Sequence, residues 1–225
     1  MDGPSPPAFA VLRRGRQSSP LHERERRSTR VPRVNISAVL LAGGESRRMG
    51  RDKATVLFRG KSLWQIQLET LRNLKPVEIF VSARSDPAWR PHNVVFVADT
   101  PPSRGPLSGL AASIERISTT HLLALAIDMP EMTGAYLKFL YAQIEPGCGV
   151  VPKVDNRAEP LAAIYPRETA SDFHSAIIGT DFSLQALVRD LAAAGKLREI
   201  TVTQQQKKLF LNFNAQDDLR RSCHQ

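Results

Sequence analysis

The chain has 225 residues, with 31 Lys plus Arg against 22 Asp plus Glu, a formal net charge of +9 and a pI near 10.1. That length permits one large domain or two small ones, and folding at this size removes roughly 70% of the unfolded surface, so the core needs no disulfide or metal staple. Two cysteines, Cys148 and Cys223, make neither a disulfide framework nor a zinc site and suit a reducing compartment, while the longest uncharged apolar stretch, residues 122–127, falls far short of the ~20 residues of a membrane helix.

Charge is unevenly distributed along the chain. Residues 1–35 hold eight arginines (Arg13, Arg14, Arg16, Arg24, Arg26, Arg27, Arg30, Arg33) against Asp2, Glu23 and Glu25, a net of +5. Residues 36–225 keep 23 basic and 19 acidic side chains, a net of +4. The first segment is broken by Pro4, Pro6, Pro7, Pro20 and Pro32 and sustains no periodicity. It cannot bury enough apolar surface to offset its ordering entropy, so it reads as a disordered basic extension. It is not a secretory signal, because the apolar run 8–12 is short and meets Arg13-Arg14 at once. Its Arg-rich, acid-poor composition leaves a transit peptide open beside a plain solvated extension. Residues 36–225 are expected to form one domain.

From residue 36 onward, strand-like and helix-like segments alternate. Residues 36–42 (ISAVLLA) form a short apolar run before Gly43-Gly44, as expected of a buried parallel strand. Residues 62–74 carry Trp64, Leu68 and Leu71 on one helical face, with Trp64 assigned to the core, and Pro76 follows. Strands are expected at 77–82 and 93–98, a helix at 107–117, a strand at 121–127 and a helix at 132–144. Further strands are expected at 149–154 and 160–165. Residues 183–194 give the clearest helix, with Ser183 as cap, Leu184, Leu187, Val188 and Leu191 on one face, and Gly195 at its end. Strands at 199–203 and 209–213 complete the set. This βα alternation predicts an α/β fold, a mostly parallel sheet with helices on both faces.

Ligands of an open α/β sheet bind beyond the carboxyl ends of its strands. After the first strand comes Leu41-Ala42-Gly43-Gly44-Glu45-Ser46-Arg47-Arg48-Met49-Gly50-Arg51-Asp52-Lys53. Adjacent glycines let backbone N–H groups approach a phosphate, and Arg47, Arg48 and Lys53 add fixed positive charge. The spacing departs from a Walker A loop, since five residues separate Gly44 from Gly50 and Arg51-Asp52 replace Lys-Ser/Thr. A G-x-G-x-x-G is also missing, which removes the anchor for a nicotinamide or flavin.

Asp128 closes the apolar run 121–127, so its carboxylate projects at the sheet's carboxyl edge. There it either holds Mg²⁺ beside polyphosphate or caps the following helix. Asp99, at the end of the 93–98 strand, is a further carboxylate at that edge, and before Pro101-Pro102 it also reads as the start of a turn. Asn212 and Asn214 flank Phe213, so on a strand they share one face, although Asn214 followed by Asp217 also reads as a helix cap. The five histidines lack metal-ligand spacing.

The segment LAGG-x-S-x-R-M-G-x-D-K at 41–53 resembles the signature of the NTP transferase family that includes molybdenum cofactor guanylyltransferase (MobA). Gly105-Pro106-Leu107-Ser108-Gly109-Leu110, Asp128-Met129-Pro130, Glu159-Pro160-Leu161 and Asn212-Phe213-Asn214-Ala215-Gln216-Asp217-Asp218-Leu219 are similar too, in consistent order across residues 36–221. The resemblance implies a Rossmann-like three-layer sandwich of the nucleotide-diphospho-sugar transferase kind. It implies transfer of GMP from GTP to molybdenum-bound molybdopterin with Mg²⁺ as cofactor, in a cytoplasmic monomer with transient contacts to molybdoenzymes or their chaperones.

By the same resemblance, Lys53, Asp128 and Arg48 are the catalytic candidates and Asp128 the metal ligand. Leu41, Ala42, Gly43, Gly44, Lys53, Ser82, Asp99, Gly105, Asp128, Asn212 and Asn214 line the nucleotide and cofactor sites. A molybdopterin cytidylyltransferase or a sugar-phosphate nucleotidyltransferase on the same scaffold is the nearer alternative. A basic nucleic-acid-binding protein using the Arg-rich tail is the remote one, and no nucleic-acid motif or basic–aromatic pattern accompanies it.

Overall fold

The computed structural model describes residues 1, 3, 34–43, 52–99 and 103–213. The chain divides into two units, Met1–Arg33 and Val34–Gln225, and every element described here belongs to the second. The disorder expected of residues 1–35 falls almost wholly outside the described residues.

Two adjacent strands, β1 (Ile36–Leu41) and β6 (His121–Ala126), form the centre of the sheet, and all twelve of their residues are buried. Because side chains alternate across a strand, each strand feeds two cores. Ala38 and Leu40 of β1 and Leu123 and Leu125 of β6 join α1 (Leu63–Arg72) and α3 (Gly134–Tyr141) on one face. Val39, Leu41, Leu122 and Ala124 join α2 (Pro106–Ile114), α4 (Ala170–Ile178) and α5 (Leu184–Ala193) on the other. The result is the three-layer α/β sandwich expected from the alternation.

The remaining main-sheet strands are β4 (Ile79–Ala83), β5 (Val95–Ala98), β7 (Gly149–Val154), β8 (Arg157–Ala158), β9 (Ile164–Pro166) and β10 (Leu197–Thr201), while β2 (Leu57–Phe58) and β3 (Lys61–Ser62) form a separate small hairpin. The eight-stranded sheet has the order β10-β7-β9-β6-β1-β4-β5, with β8 paired to β7. β8 and β9 run against the others, and the rest are parallel.

Two expected strands are corrected. Within 160–165, Pro160–Ala162 is a single 3-10 turn and only Ile164 and Tyr165 enter β9. Pro160 has no N–H to offer a ladder, and the Tyr165 hydroxyl folds back onto its carbonyl at 2.7 Å. Within 209–213, Leu209 and Phe210 end a 3-10 helix spanning Gln204–Phe210, so Asn212 and Phe213 do not lie on a strand. The apolar residues there, Leu209, Phe210 and Phe213, lack a two-residue period, and Thr203 N–H donates to the Gln206 side chain at 3.0 Å to start the helix. Helix α4 and the hairpin were not anticipated. Trp64 is half-buried and packs at the margin of the core. Among the described residues no helix is long and apolar enough to cross a membrane.

His121 starts β6 fully buried, its ring within reach of Thr120 Oγ1 at 3.0 Å and the Cys148 carbonyl at 3.4 Å. Burial pulls its imidazole below the ordinary pKa of 6.5. The unfolded chain therefore binds the proton first, and the stability that neutral His121 contributes is lost as pH falls below 6.5, levelling off once the native imidazole also titrates. Relative to a His121→Asn variant, the wild type should lose stability between pH 7.5 and pH 5 in urea titrations. A difference that does not vary with pH would refute the assignment.

Candidate active site

The order of the sheet reverses at β1. The chain leaves β1 for β4 and β5 on one flank, then returns to place β6 on the other, so a crevice opens above the carboxyl ends of β1 and β6. Backbone hydrogen bonds tie these ends together: Ala42 N–H donates to Ser82 O at 2.9 Å and Ile127 N–H to Leu41 O at 3.1 Å.

On the β4–β5 side lies a polar corner. The Ser82 hydroxyl, buried at the end of β4, donates to Asp99 Oδ1 at 2.9 Å, and Ser103 Oγ lies 3.4 Å from Asp99 Oδ2. A Cβ on Gly43 would stand 3.1 Å from that same Oδ2, so the chain leaving β1 passes directly over the carboxylate. Helix α2 closes the corner from the side. Any side chain at Gly109 would collide with the Ser82 hydroxyl, which makes glycine a packing requirement there. Gly105 opens the helix at φ 65°, a backbone that favours glycine, with Pro106 at the first helical position.

At the centre of the crevice, Lys53 Nζ donates to Asp128 Oδ2 at 2.9 Å, with both side chains about one-quarter exposed (26% and 25%). Lys53 comes from a 3-10 turn, Lys53–Thr55, and Asp128 from the turn after β6. Asp128 is not a helix cap. Helix α3 starts six residues later and is capped by Thr133, whose hydroxyl accepts from Tyr136 N–H at 3.2 Å. The Asp128 carbonyl accepts from Phe213 N–H at 2.7 Å, which brings Asn212 to the crevice without any strand.

Beyond Asp128 a cavity of about 520 Å³ opens, lined among others by Arg104, Arg157, Glu159, Phe182, Gln185 and Asn212. The Arg104 guanidinium lies over the Phe182 ring, 3.9 Å from its centroid. That size suits a small organic ligand, with a planar face and charges of both signs on its wall.

The sequence candidates divide accordingly. Leu41, Ala42, Gly43, Ser82 and Asp99 gather at the ends of β1, β4 and β5, and Lys53, Asp128 and Asn212 meet at and beside the crevice. Gly44, Arg47, Arg48, Arg51 and Asn214 lie outside the described residues. The sequence reading missed Arg104, Arg157, Phe182 and Gln185. Each stood beside a feature already singled out (Arg104 before Gly105-Pro106, Arg157 before Glu159-Pro160-Leu161, Phe182 and Gln185 around the Ser183 cap), but none carried a signal of its own.

A MobA-like NTP transferase domain matches residues 38–201. The chain belongs to this family. A relative called a probable molybdenum cofactor guanylyltransferase, from Opitutus terrae, is 31% identical over 186 residues, covering 81% of this chain and 92% of that one. The crystal structure of molybdopterin-guanine dinucleotide biosynthesis protein A from Archaeoglobus fulgidus superposes with a TM-score of 0.64 at 24% identity, over 82% of this chain and 95% of that one. Rv0371c from Mycobacterium tuberculosis H37Rv, crystallised in complex with manganese, gives 0.56 at 18% identity, over 84% and 97%.

In this NTP transferase, the Asp128 carboxylate fits a hard divalent cation taken up together with phosphate and water oxygens. Among the described residues no group of three His, Cys, Asp or Glu forms a cage that could hold a metal ion unaided. Glu159 is the opposite case, a half-buried carboxylate in the cavity wall with no hydrogen-bond donor to it among the described residues. Burial pushes its pKa above 4.5, only partly offset by the Arg157 charge. With its folded pKa raised, Glu159 costs stability above pH 4.5 and nothing below it. Glu159→Gln should therefore unfold at higher urea than wild type at pH 7.5 and show no such gain at pH 4. Equal gains at both values would show that desolvated charge is not the cause.

Proposed function

We propose that this chain transfers GMP from GTP to the terminal phosphate of molybdenum-bound molybdopterin. The observation that carries the reading is the position of the Lys53–Asp128 pair, with the Ser82–Asp99 corner on one side and the 520 Å³ cavity on the other. A nucleotidyl transfer needs adjoining sites for the nucleoside, the reacting phosphates and the acceptor, with the attacking oxygen, the α-phosphorus and the leaving oxygen in line. The guanylyltransferase names of the chain's relatives support the choice of substrates.

The nucleoside lies at the polar corner. Ser82 donates to Asp99 Oδ1 at 2.9 Å while Ser103 reaches Oδ2 only at 3.4 Å, so Oδ2 keeps acceptor capacity for the guanine N1–H and N2–H₂ edge or for a ribose hydroxyl. The triphosphate reaches Lys53, whose ammonium leaves Asp128 for phosphate oxygens. Asp128, so released, would hold a divalent cation that we take to be Mg²⁺, a choice of metal class supported by the manganese-bound Rv0371c. When bound, the ion neutralises phosphate charge and polarises the α-phosphorus. An oxygen of the acceptor phosphate, presented from the cavity, attacks the α-phosphorus in line, and the bond to the β-phosphate oxygen breaks with its electron pair going to pyrophosphate. Positioning and charge neutralisation carry such chemistry without a protein nucleophile. Arg48, outside the described residues, adds charge to the same loop.

Lys53→Ala and Asp128→Ala should each lower turnover at least ~100-fold while leaving the folded state intact by circular dichroism. A full-rate Asp128→Ala enzyme would sink the metal assignment. Purified protein given Mg²⁺, molybdenum-loaded molybdopterin and labelled GTP or CTP should incorporate GMP, whereas preferential CMP incorporation would replace the guanylyl reading with a cytidylyl one. We also propose that residues 1–33 take no part in turnover. A chain starting at Val34 should match the full-length rate, and loss of activity on removing the extension would refute this.

A further inference from the structure

We propose that Trp89 is a positioning residue for triphosphate binding, acting through Asp52 on the turn that carries Lys53. The inference rests on Lys53 as a phosphate ligand, as argued above.

A single 3-10 turn such as Lys53–Thr55 has little stability of its own. It is held by Asp52, which stands immediately before it. Asp52 Oδ1 accepts from Ala54 N–H at 3.0 Å, and its carbonyl accepts from the Thr55 hydroxyl at 2.8 Å. Asp52 is itself exposed, so its carboxylate needs an anchor to act as a fixed cap. Trp89 supplies it. The indole Nε1–H donates to Asp52 Oδ2 at 2.6 Å, a short charge-assisted bond to the oxygen that the cap leaves free.

Trp89 is in turn immobilised from two sides. Its ring stacks on Trp64 of α1, with centroids 5.7 Å apart and planes 18° from parallel. Its own segment, residues 84–94, is closed by Arg90. That guanidinium donates to both oxygens of Asp86, each at 2.6 Å, to the Pro91 carbonyl at 3.3 Å and to the Val94 carbonyl. This segment joins β4 to β5, the strands that deliver Ser82 and Asp99. One braced loop therefore sets both ends of the nucleotide site, the nucleoside corner directly and the Lys53 ammonium through Trp89 and Asp52. Stacking alone would make Trp89 a space-filler. The indole N–H aimed at the residue next to Lys53 makes it more.

Trp89→Phe keeps an aromatic ring against Trp64 and removes the donor. The dissociation constant for GTP, measured by calorimetry on the full chain, should rise about tenfold, the scale of one lost hydrogen bond to a charged group, with Tm within about 3 °C of wild type. In a Lys53→Ala background the same substitution should change the constant less than twofold, because the group it positions is gone. A Trp89→Phe constant equal to wild type would overturn the proposal. So would a loss of the same size with and without Lys53, which would mark a purely structural role. Asp52→Asn, which keeps the Oδ1 cap acceptor, repeats the cycle if Trp89→Phe folds poorly, with the same two results deciding. Tighter binding of CTP than GTP with the coupling intact would count against the guanylyl reading alone, since the triphosphate is common to both.

Discussion

Lys53 and Asp128 meet at 2.9 Å across the point where the sheet order reverses, and the rest of the molecule is arranged to bring them there. Neither charge is buried deeply enough for their pairing to contribute much stability, since partly exposed ion pairs are screened by water and are worth little. Each side chain keeps the other in place while the crevice is empty. In the proposed reaction an incoming triphosphate would compete for the ammonium and a divalent cation for the carboxylate, and the two exchanges would favour each other because each frees the partner the other needs. On that reading the ion pair couples nucleotide uptake to metal uptake.

Holding charges ready in this way costs stability elsewhere. The apolar strands β1 and β6 and the two cores they feed provide the reserve, with Val39 and Leu40 of the first and Leu122, Leu123 and Leu125 of the second fully excluded from water. Against that reserve stand the desolvated Glu159 carboxylate in the cavity wall and the crowded ends of β1, β4 and α2, where Gly43 and Gly109 leave room for Asp99 and Ser82. Sites that bind ligands through polar groups retain such defects because the ligand, not the protein, satisfies them.

Much of this was legible in the chain itself. The buried strands at 36–42, 121–127 and 149–154, the capped helix ending at Gly195, and the positions of Lys53, Asp99 and Asp128 beyond strand ends follow from periodicity and from the rule that ligands bind at carboxyl ends, whereas Ser82, inside β4, comes from the family resemblance alone. The failures also have physical causes. Residues 160–165 and 209–213 are apolar but short, and apolarity alone does not separate a strand from a 3-10 turn. Tertiary contacts decided both: Tyr165 folds onto Pro160, and Phe213 is held by the Asp128 carbonyl and by edge-to-face packing on Phe58, with centroids 5.4 Å apart. Arg104 and Phe182, or Trp89 and Asp52, are partners separated by tens of residues, and no local pattern announces them.

The two halves of the crevice are built by different rules, and the difference bears on how one fold accommodates several acceptors. The nucleotide half rests on β1, β4 and β5, parallel strands whose ends are fixed by ladder hydrogen bonds and by the braced 84–94 segment. The half that the proposed reading gives to the acceptor is walled by the two-residue β8, one 3-10 turn at Pro160 and the starts of α2 and α5. Backbone in the first half is constrained at nearly every position, whereas the second is an assembly of short pieces that tolerates changes in length and side chain. A chain that keeps the donor half and varies the acceptor half retains the phosphate chemistry while changing what it modifies. On the reading proposed above, the 520 Å³ cavity beside Asp128, with Arg104 on Phe182 and Glu159 in its wall, is where a choice of acceptor would be made.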